Sequence, residues 1–175
     1  MRNPKGAGPG PPGPPLPGAR VHADGSCIGN PGPGGIGVVL ELPGGERVEV
    51  SEYLGETTNN QAEYRALLRA LQECEARGVS QAAVFLDSEL VVKQVGGQYR
   101  VKQADLLTLH AEVRAALARG RYRVEYVGRA ENRLANVLAQ KAARLGRRAS
   151  TEACARDRQP SDPEAGSGPS DAQEP

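Results

Sequence analysis

Three acidic residues stand where a purely structural protein would not favour them. Asp24 interrupts a short apolar-alternating segment immediately before Gly25-Ser26. Asp87 directly follows the unbroken apolar run Ala82–Leu86, at the end of a segment patterned as a strand buried on both faces. Glu63 precedes Ala66, Leu67 and Ala70 by three, four and seven residues, which puts it on the inward face of a helix. Singly, each has an ordinary explanation: a turn aspartate, a helix N-cap, a first-turn acid favoured by the helix dipole. Converging at one sheet edge, they form a set of hard oxygen ligands, which suits Mg²⁺ or Mn²⁺ rather than Zn²⁺. Clustered carboxylates repel a bare phosphate, so such a site makes sense with divalent ions bridging the two. A pair of ions about 4 Å apart is the known device for in-line phosphodiester displacement.

The elements that must position these acids are legible from periodicity. Arg20–Cys27 reads as a strand stopped by the run Gly29 to Gly35, Gly37–Leu42 as an apolar strand, and Pro43-Gly44-Gly45 as a hairpin turn into a strand over Glu46–Leu54. Thr58-Asn-Asn-Gln61 fits a capping box, and helical spacing then continues to Arg77 with Gly78 as the stop. A strand over Ala82–Leu86, a short helix over Ser88–Val95, a helix through Leu106 to Leu117, a strand around Tyr122–Tyr126 and a last helix over Asn132–Leu145 follow. The order βββαβααβα predicts an α/β fold: a mixed five-stranded sheet, an antiparallel meander plus α/β units, with helices on its faces.

Composition sets the boundaries. Residues 1–18 hold seven Pro and five Gly without a three-residue period, and residues 149–175 are rich in Ser, Asp, Glu, Pro and Gln. Both are expected to be disordered tails around one domain over residues 19–148. No apolar run approaches the roughly 20 residues that cross a bilayer, and no apolar leader opens the chain, so neither a membrane protein nor a secreted one is expected. Cys27, Cys74 and Cys154 are far apart and in no C-x-x-C pair, which disfavours disulfides and thiolate zinc and points to the cytoplasm. Charge is uneven. From Arg20 to Val113 the net is −5; from Arg114 to Arg148, ten basic residues face Glu125 and Glu131 for a net of +8. A cationic face for a polyanion and a solvated arginine-rich surface both fit that pattern.

Other chemistry is poorly supported. Gly32 to Gly37 matches G-x-G-x-x-G, but a strand pattern follows where a helix should begin. His110 lies on the flank of an amphipathic helix. His22, two residues before Asp24, could share its face but is a weak candidate. Two histidines build no convincing nucleophilic triad.

Four blocks, in order, resemble type 1 ribonuclease H of the short bacterial and archaeal kind: Asp24-Gly-Ser-Cys-Ile-Gly-Asn-Pro-Gly-Pro-Gly-Gly35, Thr57-Thr-Asn-Asn-Gln-Ala-Glu-Tyr64, Asp87-Ser88, and Arg129-Ala-Glu-Asn-Arg-Leu-Ala-Asn136. The likeness spans about Val21 to Leu145. It implies a ribonuclease H-like fold and a nuclease that hydrolyses the RNA strand of RNA–DNA hybrids with two Mg²⁺ ions, Mn²⁺ substituting, leaving 5′-phosphate and 3′-hydroxyl ends. Asp24, Glu63 and Asp87 fall on the family's metal-binding acids. Gly25, Ser26, Gly29, Asn30 and Asn60 fall where the family reads 2′-hydroxyls and the minor groove, and Asn59 beside them is expected to bind nucleic acid. Thr58, Asn60 and Ser88 resemble its DNA-phosphate pocket, and Arg129 the flexible basic group near the scissile phosphate. The implied partner is the hybrid duplex, with no obligatory protein partner and no membrane.

Two departures qualify the resemblance. Gly96-Gly-Gln-Tyr-Arg-Val-Lys102 leads straight into the next helix, so the basic protrusion of some members is missing, and Lys93, Arg100, Lys102 and the basic C-terminal segment must supply the grip. Position 136, the family's fourth catalytic and metal-binding acid, is Asn. Asn136 retains one oxygen as a potential ligand but removes a full negative charge, so hydrolysis should fall while hybrid binding persists. The alternatives are a catalytically inactive hybrid-binding domain and another nuclease of the same superfold.

Overall fold

The computed structural model describes residues 18–156. Its elements are β1 (Ala19–Cys27), β2 (Gly32–Glu41), β3 (Arg47–Thr57), α1 (Asn59–Ala76), β4 (Gln81–Leu86), α2 (Glu89–Val95), α3 (Ala104–Leu117), β5 (Arg121–Tyr126) and α4 (Arg133–Arg156). The expected order holds throughout. One sheet runs β3-β2-β1-β4-β5, with β1 antiparallel to β2, β2 antiparallel to β3, and β4 parallel to both β1 and β5. No helix among the described residues is long and apolar enough to cross a membrane.

The core between sheet and helices is aliphatic: Val21, Val38, Leu40, Val84 and Leu86 from the strands meet Ala66, Leu67, Ala70 and Leu71 of α1, all fully buried. The capping box forms as the sequence implies. Thr58 Oγ1 accepts from the Gln61 N–H, and Gln61 Oε1 accepts from the Thr58 N–H, fixing the first turn of α1 at the sheet edge.

β3 runs three residues past the expected Leu54, to Thr57. Two boundaries differ by more, and glycine explains both. β2 begins at Gly32 rather than Gly37, because the glycine run is a strand over which α4 lies flat. A Cβ on Gly35 would collide with the Ala139 carbonyl and the Ala143 N–H, and one on Gly37 with the Ala135 carbonyl. These glycines are therefore a packing floor, not a loop and not a dinucleotide turn. Likewise α4 does not stop at Leu145. Gly146 sits where a Cβ would strike the Tyr53 ring, so it lets the helix pass over β3. Most residues after it, the arginines, the alanines and Glu152, are good helix formers, and α4 continues to Arg156. Residues 149–156, assigned by composition to a disordered tail, are thus helical; the rest of that assignment, and nearly all of the N-terminal one, lies outside the described residues.

Candidate metal centre and its basic groove

Parallel pairing of β1 with β4, in a register that sets His22 beside Phe85, brings the carboxyl ends of both strands to the same edge of the sheet. Two residues further along each strand direction stand Asp24 and Asp87. The N-terminal turns of α1 close over that edge. Gly25 makes this possible, since a side chain there would run into the Ala62–Glu63 backbone. One carboxylate oxygen from each of Asp24, Glu63 and Asp87 lies within 4.8 Å of the others. The acids that the sequence singled out therefore converge.

Their electrostatics are those of a site built for a cation. Asp24 is 2% exposed and its carboxyl is pushed up to about 8, first by burial, then by its hydrogen bond to Asp87 and that residue's charge; Asn136 and Arg129 oppose the shift. Glu63 is raised well above the usual carboxylate range by burial and by the charges of Asp24 and Asp87, against the Gly25 N–H and Arg129. Its Oε2 is buried without a hydrogen-bond partner. A buried orphan oxygen beside two further carboxylates is unfavourable in a metal-free protein and is satisfied by a divalent ion. The donor set is all oxygen, which fits Mg²⁺ or Mn²⁺.

Helix α4 and the residue just before it, Asn132, supply the next layer. Asn132, fully buried, donates through Nδ2 to the Ala23 carbonyl and to Asp87 Oδ1, both at 2.8 Å, and so ties β1, β4 and α4 together beneath the cluster. One turn on, Asn136 Nδ2 donates to Asp24 Oδ2 at 3.0 Å, while Gln140 Nε2 donates to Asn136 Oδ1 at 2.8 Å. The amide of Asn136 thus meets the acids with its nitrogen, and the oxygen expected to serve as a ligand is held by Gln140. The sequence reading passed over Asn132 and Gln140. Both lie four residues from Asn136, a spacing that could have flagged them.

The residues expected to meet nucleic acid surround this centre. Asn30 Oδ1 accepts from the Asn59 N–H at 3.1 Å, joining the β1–β2 loop to the start of α1. Gly29, with φ +89°, turns that loop. Thr58 and Ser88 both act as N-caps, of α1 and α2. Asn60 is half-buried and Arg129 exposed. Ser26, Asn59 and Arg129, with Gln140, Arg144, Arg147 and Arg148 of α4, line a groove of about 510 Å³. The weak candidates stay structural: His22 stacks on Phe85 with ring centroids 4.9 Å apart, and His110 packs edge-on to Tyr64 with Nε2 3.3 Å from the Gln94 carbonyl.

Comparison with known proteins agrees with this geometry. Residues 22–142 match the family model described as reverse transcriptase-like. A solved structure titled as LC11-RNase H1 in complex with an RNA/DNA hybrid superposes with a TM-score of 0.68 at 36% identity, covering 73% of this chain and 98% of that one. The chain belongs to the type 1 ribonuclease H family. Ribonuclease HI of Halobacterium salinarum is 38% identical over 129 residues, covering 71% of this chain and 65% of that protein. The bifunctional protein Rv2228c of Mycobacterium tuberculosis is 41% identical over 125 residues; this chain spans only about a third (34%) of that longer relative. Within that family, the chain joins α2 to α3 without an inserted helix.

Proposed function

We propose that this chain is an endoribonuclease that binds RNA–DNA hybrids and hydrolyses the RNA strand, with Asp24, Glu63 and Asp87 holding Mg²⁺. The observation that carries the reading is the meeting of those three carboxylates, one from β1, one from α1 and one at the end of β4, around the unsatisfied Glu63 Oε2. The ribonuclease H family names and the hybrid-bound relative support it. When bound, two such ions supply charge neutralisation of the scissile phosphate, an activated water and stabilisation of the leaving 3′-oxygen.

The chain's own residues orient the substrate. The loop of Gly25, Ser26, Gly29 and Asn30, joined to Asn59 and Asn60, offers short polar groups and exposed backbone to 2′-hydroxyls, which DNA lacks. Thr58 and Ser88 place hydroxyls and free helix-terminal N–H groups near the deoxy strand's phosphate. Arg129, whose charge already reaches Asp24 and Glu63, stands beside the scissile position. Asn132 keeps Asp87 oriented, and Asn136 holds Asp24 through a donated hydrogen bond in place of the family's fourth carboxylate. The unpaired thiols of Cys27 and Cys74 suit a reducing, cytoplasmic setting.

The amide at position 136 favours a second reading, a hybrid-binding domain with little hydrolysis. Binding and cleavage measured in Mg²⁺ on matched RNA–DNA, RNA–RNA and DNA–DNA duplexes separate the two. Preferential binding with RNA-strand cleavage is expected; tight hybrid binding with no products would leave only the binding domain, and equal binding to all three duplexes would sink both.

A further inference from the structure

The groove beside the metal centre has a lining unlike the centre itself. None of the residues that line it is acidic, although the three-carboxylate cluster is its neighbour. Elsewhere on the surface some arginines are tied to glutamates, Arg69 and Arg77 to Glu73, Arg119 to Glu75, Arg123 to Glu125, while the exposed Arg100, Arg121 and Arg133 stand scattered without such a partner. Among the described residues, Arg129, Arg144 and Arg148 pair with no carboxylate. All three are exposed.

Their placement is directional. Asn136, Gln140, Arg144 and Arg148 follow one another at intervals of four residues along α4, with Arg147 three residues after Arg144, so they share a face that starts at Asp24 and runs outward. At 1.5 Å of rise per residue, that face extends about 18 Å from the acids. Each strand of a duplex carries one phosphate per about 3.4 Å of the duplex axis and winds around it, so a face of this length can meet several phosphates of one strand but fewer than the axial rise alone would give.

We infer that the α4 face formed by Gln140, Arg144, Arg147 and Arg148, with Arg129 opposite, is a phosphodiester-backbone groove that continues the path of the cleaved RNA strand away from the metal centre. The occupant is that strand because the face begins at the acids that must meet the scissile phosphate. A groove lined by arginines and by no acidic residue suits a polyanion of regular charge spacing, and with no inserted helix between α2 and α3 the α4 arginines stand as a cationic surface near the site. The assignment rests on the ribonuclease H reading and extends its footprint.

The test is hybrid binding by fluorescence anisotropy over a range of salt in Mg²⁺, using the full chain with Asp24→Asn to block hydrolysis. Each lost phosphate contact should reduce the slope of log K against log salt by somewhat under one. The triple variant Arg144→Gln/Arg147→Gln/Arg148→Gln should therefore show a slope shallower by about two to three and weaker binding at low salt. The triple Lys variant, which keeps the charges, should retain most of the slope. An unchanged slope in the Gln variant would overturn the groove, as would equal losses in the Gln and Lys variants. Competition by polyglutamate as strong as by the hybrid would overturn it too, marking a general site for acidic peptides. A parent chain that binds no hybrid at all would instead defeat the ribonuclease H reading, and would be seen before any arginine is changed.

Discussion

Position 136 decides how much charge the metal centre holds. With Asp there, a fourth carboxylate would face the ions; with Asn, the nitrogen donates to Asp24 and the oxygen is taken by Gln140. A donor aimed at Asp24 stabilises its ionised form but contributes no ligand charge, so ions bind against fewer compensating negatives. Asn136→Asp should raise Mg²⁺-dependent cleavage of an RNA–DNA hybrid by about two to three orders of magnitude, the size of one lost electrostatic stabiliser. Hybrid affinity should change far less. Single-turnover rates for the two proteins check this, and equal rates would show that the amide is no handicap.

At the scale of elements, the centre depends on α4 lying flat against the sheet. Asn132, Asn136 and Gln140 reach their partners only because Gly35 and Gly37 leave room for the Ala135 and Ala139 carbonyls over β2. Gly37→Ala forces the helix outward, and overpacking of this kind costs about 1–3 kcal/mol. The expected result is a lower midpoint in urea together with reduced cleavage, since the Asn132–Asp87 and Asn136–Asp24 contacts lengthen. Ala at Gly44, which has open space around it in the β2–β3 turn, is the control and should leave both nearly unchanged.

For the whole molecule, the acidic cluster couples stability to pH and to metal. The folded chain keeps Asp24 protonated up to about 8, whereas an unfolded aspartate releases its proton near pH 4. Between those values the folded state binds more protons than the unfolded one, so the metal-free protein loses stability as pH rises through that window; Glu63 acts in the same direction. A divalent ion replaces the protons and reverses the trend. In EDTA the melting temperature should fall from pH 5 to pH 8, and added Mg²⁺ or Mn²⁺ should raise it more at pH 8 than at pH 5. A metal-induced shift independent of pH would mean that the ions bind elsewhere.

The sequence by itself determined the element order, the capped start of α1 and the three acids, because period, caps and an acid on an apolar face are local signals that tertiary contacts here reinforce. The glycine run at the start of β2 reads as a strand stop for the opposite reason: a glycine that makes room for a neighbour looks, in one dimension, the same as a glycine that turns the chain. Only the tertiary structure decided that the Asn136 amide faces Asp24 with its nitrogen, that Asn132 pins Asp87 from beneath, and that arginines of α4 line a groove linked to Asp24 through Gln140 and Asn136. Each of these depends on which atoms of distant segments come within hydrogen-bond reach, and packing across the sheet, not residue type, sets that distance.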